Sequence, residues 1–159
     1  MTRGKVIGST MVVVFLFFAA NTPGQEKHIK RSDLPAAVQK TADEQSKGAT
    51  VRGYTKETEE GKLEYEVEMT VSGHTKDVSI DPAGNVLEVE EQVALEMLPA
   101  AVRDGLQQKA GNDKITKVET IIKHGTLVAY EAQVLTGGKK SEVQVRPDGK
   151  PLDHEDVRP

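Results

Sequence analysis

The chain has 159 residues, 36% hydrophobic and 29% charged, with a formal net charge of −4 and no cysteine. That length holds one ordinary domain or two very small ones, and the composition excludes a collagen-like, compositionally disordered or multi-span membrane protein. Without cysteine there is no disulfide framework, no thiolate chemistry and no lipid attachment site of the lipoprotein kind.

In chain order, Arg3 and Lys5 precede the apolar run MVVVFLFFAA from Met11 to Ala20, and Asn21, Thr22, Pro23 and Gly24 break it. This pattern predicts a secretory signal peptide over residues 1–24, cut after Gly24. The run falls short of the roughly 20 apolar residues that span a bilayer, so no membrane span is expected to remain after cleavage. Removal takes away two cations and no anions, so the net charge of −4 becomes −6. An exported protein, periplasmic or extracellular, is expected. Its negative balance argues against nucleic acid, which needs a concentrated positive face. Residues 25–32 read as a linker and residues 155–159 as a frayed tail.

The pentapeptide LPAAV stands at 34–38 and again at 98–102, an offset of 64. At an offset of 65, Tyr65-Glu66-Val67 meets Tyr130-Glu131-Ala132 and Pro82-Ala83-Gly84 meets Pro147-Asp148-Gly149. The shared order predicts two tandem repeats, over residues 33–96 and 97–154. Each opens with a helix: Ser32 or Asp33 caps the first, Pro35 sits in its first turn and Gly48 closes it, while Pro99 and Gly111 bound the second. Then the period changes to 2. In KLEYEVEMTV, Leu63, Tyr65, Val67, Met69 and Val71 point one way and Glu64, Glu66, Glu68 and Thr70 the other. Glycine turns and the DPAGN turn at 81–85 join this strand to those at Val78–Ile80 and Val86–Val93, so the pairing is antiparallel. The expected fold class is α+β: two tandem repeats of one helix followed by a three- or four-stranded antiparallel sheet, the helix packed on one sheet face.

These elements carry a family resemblance. Gly61-x-x-x-Tyr65-Glu66-Val67 after a helix, then Val78-Ser79-Ile80-Asp81-Pro82-Ala83-Gly84-Asn85-Val86-Leu87-Glu88, resembles the PepSY and PepSY-like group, which includes the beta-lactamase-inhibitor-like domains of secreted bacterial proteins. The likeness covers residues 33–93 well and 97–154 less well, where Arg146 replaces Asp81 and Pro151 replaces Val86. The resemblance implies an exported, non-enzymatic domain that binds or inhibits another protein, such as a peptidase or other envelope protein. It brings no catalytic residues.

The residues themselves suggest no catalytic or cofactor site. His28, His74, His124 and His154 show none of the spacings of a zinc site, and His74 and His124 lie beside glycines at turns, where solvent exposure is expected. No serine sits in a GxSxG elbow. Asp81 and Asn85 offer too few oxygens for a calcium loop, and proline followed by glycine is what a tight turn needs. Neither a metal nor a cofactor is expected.

Charge distribution is more informative. Residues 33–96 hold 15 acidic and 6 basic side chains, whereas residues 97–159 hold 9 and 10. Glu64, Glu66, Glu68, Glu88 and Glu90 are therefore the candidate protein-binding face, a wet sheet surface for a cationic partner. A small-ligand or cation-binding envelope protein using these carboxylates is the alternative.

Overall fold

The computed structural model describes residues 26–59 and 61–152, so the expected signal peptide, the tail and His154 lie outside the described residues. Eight strands occur in chain order: β1 (Lys27–Ile29), β2 (Thr50–Glu59), β3 (Lys62–Val71), β4 (His74–Ile80), β5 (Val86–Gln92), β6 (Lys114–Lys123), β7 (Thr126–Thr136) and β8 (Lys139–Val145). Helix α1 (Ala36–Gln45) lies between β1 and β2, and α2 (Ala100–Ala110) between β5 and β6. A short 3₁₀ turn precedes each helix, at Arg31–Asp33 and Leu95–Met97.

All eight strands form a single antiparallel sheet in sequence order. This corrects the expected fold of two tandem repeats, each with its own small sheet. β5 pairs directly with β6, from Glu88↔Lys123 to Gln92↔Glu119, and the Val93 N–H donates to the Val118 carbonyl at 2.9 Å. The physical reason is the cost of strand edges. Separate sheets would leave β5 and β6 with rows of unpaired N–H and C=O groups, and joining them removes both edges. Residues 27–29, read from the sequence as part of a linker, pair with Tyr54–Lys56 and so form one edge of the sheet.

The cross-strand register puts both helices on the same face. Val89 pairs with Ile122 and Val118 with Ala132, so the apolar positions of all the central strands line up. Leu34, Val38 and Ala42 of the α1 segment pack on Tyr65, Val67, Met69, Val78 and Ile80. Leu98, Val102 and Leu106 of the α2 segment pack on Val118, Ala132 and Val145. Each fully buried aliphatic side chain here contributes about 1.5–3 kcal/mol by leaving water.

The helix starts differ from expectation. Pro35 and Pro99 are the N-caps rather than first-turn residues, with extended ψ angles of 149° and 143°, and neither helix has a side-chain cap. Asp33 instead accepts from the Lys30 N–H at 3.1 Å, closing the preceding 3₁₀ turn. Glycine sets how closely the far ends approach. A Cβ on Gly105 would lie 2.0 Å from the Gly149 carbonyl oxygen, so bare backbone is what lets α2 rest on the turn after β8. Similarly, Thr41 of α1 donates to the Gly84 carbonyl at 2.7 Å, docking α1 on the β4–β5 turn. That turn is closed by Asp81, which accepts from the Asn85 N–H and side-chain amide, each at 2.8 Å.

Candidate functional site

With both helices on one side, the other face of the sheet is covered by no helix among the described residues. Its composition follows from register. One crosswise row runs Gly53–Glu68–Asp77–Glu90–Ile121–Ala129 from β2 to β7. The next runs His28–Thr55–Glu66–Ser79–Glu88–Lys123 from β1 to β6. A third carries Gln92, Glu119, Glu131 and Gln144 across β5 to β8. Glu64 lies beside Glu57, one row beyond Glu66.

The five carboxylates singled out from the sequence therefore share one face. Register adds Asp77 from the acidic first half, and Glu119 and Glu131, which sequence reading missed because the near-neutral second half of the chain hid them. Their period-2 alternation with Val78, Val118 and Ala132 was the available signal. The face is not wet as expected. Glu66, Glu68, Glu88, Glu90 and Glu131 are all half-buried, Glu119 is buried, and Ile121, Ala129 and Thr55 are buried on this side without belonging to either core.

Cations neutralise part of the surface. Arg52 reaches Asp77 at 2.7 Å and Glu68 at 3.8 Å, Lys123 reaches Glu88 at 3.0 Å, and Lys117 reaches Glu119 at 2.7 Å. Gln144 donates to Glu131 at 2.6 Å. Glu66 and Glu90 have no ion-pair partner among the described residues, and their proton affinities show it. Burial, reinforced by Asp77, Glu68 and other acids, pushes the Glu66 carboxyl up to about 8. Burial together with Glu131 and Glu88 pushes Glu90 up to about 9. Glu131 is also raised by burial, against the opposing hydrogen bond from Gln144. Asp77 is raised by burial, with Arg52 pulling the other way. With proton affinities raised above neutral, Glu66 and Glu90 are protonated carboxyls at pH 7, which donate as well as accept hydrogen bonds.

The histidines fall in three settings. His74 opens β4 rather than standing free in a turn, half-buried, with its Nε2 2.8 Å from Glu91 Oε1. His124 is exposed in the β6–β7 turn. His28 is exposed on β1, and its ring lies close to Glu26 and Glu68: one ligand-type atom from each of the three falls within 4.8 Å of the others. Spacing in the sequence could not show this grouping, because Glu68 arrives from β3.

No protein-family model matches the chain, so the PepSY likeness remains a resemblance, and no curated protein matches it. Solved structures do match. A BLIP-like protein from Bacteroides fragilis is 21% identical with a TM-score of 0.55, covering 75% of this chain and 84% of that one. A DUF2874 family protein from Bacteroides ovatus is 19% identical with a TM-score of 0.58, over 76% and 85%. A protein from Bacteroides eggerthii whose name describes it as periplasmic is 17% identical with a TM-score of 0.60, over 76% and 86%. At these identities the likeness shows the fold alone: the chain has the fold shared by these BLIP-like and DUF2874 structures.

Proposed function

We propose that this chain is an exported, non-enzymatic binding module that docks a cationic protein surface on the uncovered face of its sheet. The observation that carries the reading is the face itself, six strands wide, with Glu66, Glu68, Asp77, Glu88, Glu90, Glu119 and Glu131 in adjoining rows. The names of the similar structures support export and protein binding, since one is BLIP-like and another is described as periplasmic. No helix among the described residues is long and apolar enough to cross a membrane. A peptidase or another envelope protein is the class of partner the reading favours, with Lys and Arg side chains meeting carboxylates and protonated carboxyls.

The test is cross-linking of the purified chain to envelope extract at low and high salt, beside a variant carrying Glu64→Lys, Glu68→Lys and Glu88→Lys. The reading expects a discrete partner that is lost in the variant and weakened by salt. A partner retained by the charge-reversed variant, with the variant's melting temperature near that of the parent, would place docking elsewhere.

A further inference from the structure

We propose that Glu26, His28 and Glu68 form a binding site for a divalent transition-metal ion, with zinc as the probe, above the buried hydroxyl of Thr55. Glu26 stands immediately before β1 and His28 within it, and a ligand-type atom of each comes within 4.8 Å of the other. His28 pairs with Thr55 on β2, which puts both on the uncovered face. Glu68 is on β3, two strands away from β1, where a side chain on β2 would ordinarily stand between them. The β2 residue opposite Glu68 is Gly53. A Cβ built there would be 3.5 Å from Glu68 Oε2, so the carboxylate lies over the bare backbone of β2. This is the use of a strand glycine where another group must come close. The outcome is three ligand atoms within 4.8 Å of one another, drawn from β3 and the β1 segment.

A second, independent feature lies beside His28 on the same face. Thr55 is fully buried, and its Oγ1 is the one buried side-chain polar atom without a hydrogen-bond partner among the described residues. It lies on the same face, in the row between His28 and Glu66. A buried orphan hydroxyl is a standing cost that a native fold normally avoids. An ion that draws the two carboxylates and its own water over Thr55 supplies that hydroxyl with partners. Arg52 does not close the site: its short contact is with Asp77 at 2.7 Å, and it stands 3.8 Å from Glu68.

The donor set names the class of ion. One imidazole nitrogen and two carboxylate oxygens suit zinc or a neighbouring first-row ion, with water filling the remaining position. Calcium takes six to eight oxygens and has no use for the imidazole. A bound ion would clamp the three-residue edge strand to β3 across β2, independently of whether the face also docks a protein.

The experiment is calorimetric titration of the purified, chelator-treated chain with zinc chloride at neutral pH, with NMR of the histidine rings in parallel. One site per chain is expected, with the His28 ring resonances shifting. His28→Gln and Glu68→Gln should each weaken binding by about tenfold or more, and Thr55→Val by several-fold, in keeping with what loss of supporting groups costs at metal sites. Gly53→Leu, which fills the gap under Glu68, should also weaken it. His74→Gln and His124→Gln should leave it unchanged. A heat-silent chain, zinc binding that survives His28→Gln, or calcium displacing zinc at equal concentration would each overturn the assignment. Because the ring shifts are read on the unaltered chain, a variant that failed to fold would not rescue or sink it.

Discussion

Glu90→Gln is the substitution that reports most directly on the state of the uncovered face. Glu90 lies half-buried at the middle of the sheet, and burial plus the neighbouring Glu131 and Glu88 hold its proton up to about pH 9. In the unfolded chain the same carboxyl ionises near 4.5. The sign follows from linkage: a group with a raised folded pKa gives stability that is fully present below the unfolded value and is lost as pH rises through the folded one. Folding stability should therefore fall from about pH 5 towards pH 9, at a limiting slope of about 1.4 kcal/mol per pH unit for one group. Partial solvation of Glu90 and its coupling to Glu131 reduce the total, so about 1–3 kcal/mol is the working figure between pH 5 and pH 8. Glutamine has the shape of the protonated carboxyl and cannot ionise. Urea denaturation of both proteins at each pH from 5 to 9 should give nearly equal stabilities at pH 5 and a growing advantage for Glu90→Gln above pH 6. Parallel pH profiles, with a constant gap or none, would mean that Glu90 is ionised at neutral pH and that the face is not desolvated.

Three further outcomes are expected. Gly105→Ala puts a Cβ a full ångström inside the closest approach real Cβ atoms make, against the Gly149 carbonyl; the clash should outweigh the gain of about 1 kcal/mol in helix propensity and leave the protein about 2–4 kcal/mol less stable by urea denaturation. Leu106→Ala empties a fully buried position beneath α2 and should cost about 2–5 kcal/mol, read as a lower melting temperature. In the presence of chelator, Thr55→Val removes the orphan hydroxyl at little change in shape and should raise stability by about 1 kcal/mol; a loss instead would show that the hydroxyl has a partner in the metal-free protein.

The parts of this fold legible in the sequence are those set by local spacing. Alternation in KLEYEVEMTV placed Tyr65, Val67 and Met69 inward, DPAGN marked a turn, and LPAAV marked both helix entrances, with Leu34 and Leu98 buried and Pro35 and Pro99 in matching conformations. What joined β5 to β6 was backbone hydrogen bonding, which side-chain alternation does not encode. A strand pattern says which residues face the core but not which strand lies alongside. β1 escaped notice because three residues are too few for a period to show. The candidate face was half legible. Period 2 put five glutamates on one side, but their burial and mutual repulsion arise from rows whose cross-strand partners lie from 8 residues apart, as Ile121 and Ala129, to 35 apart, as Glu88 and Lys123.

The acidity of this face limits itself. Each carboxylate added to a half-buried sheet surface raises the proton affinity of its neighbours, so Glu66 and Glu90 take up protons where Arg52, Lys117 and Lys123 do not reach. A face counted as strongly anionic from the sequence is, near neutral pH, a mixture of ion pairs and protonated acids. Its solubilising charge is correspondingly smaller, and its capacity for hydrogen bonding larger. On the docking reading, a lysine or arginine brought against Glu90 favours the ionised carboxylate and displaces the proton. Partner binding then releases protons and tightens as pH rises towards 9, over the same interval in which the free module loses stability. Calorimetry of any captured partner in two buffers of different ionisation enthalpy would read that release directly, and a heat independent of buffer would show that the proton stays.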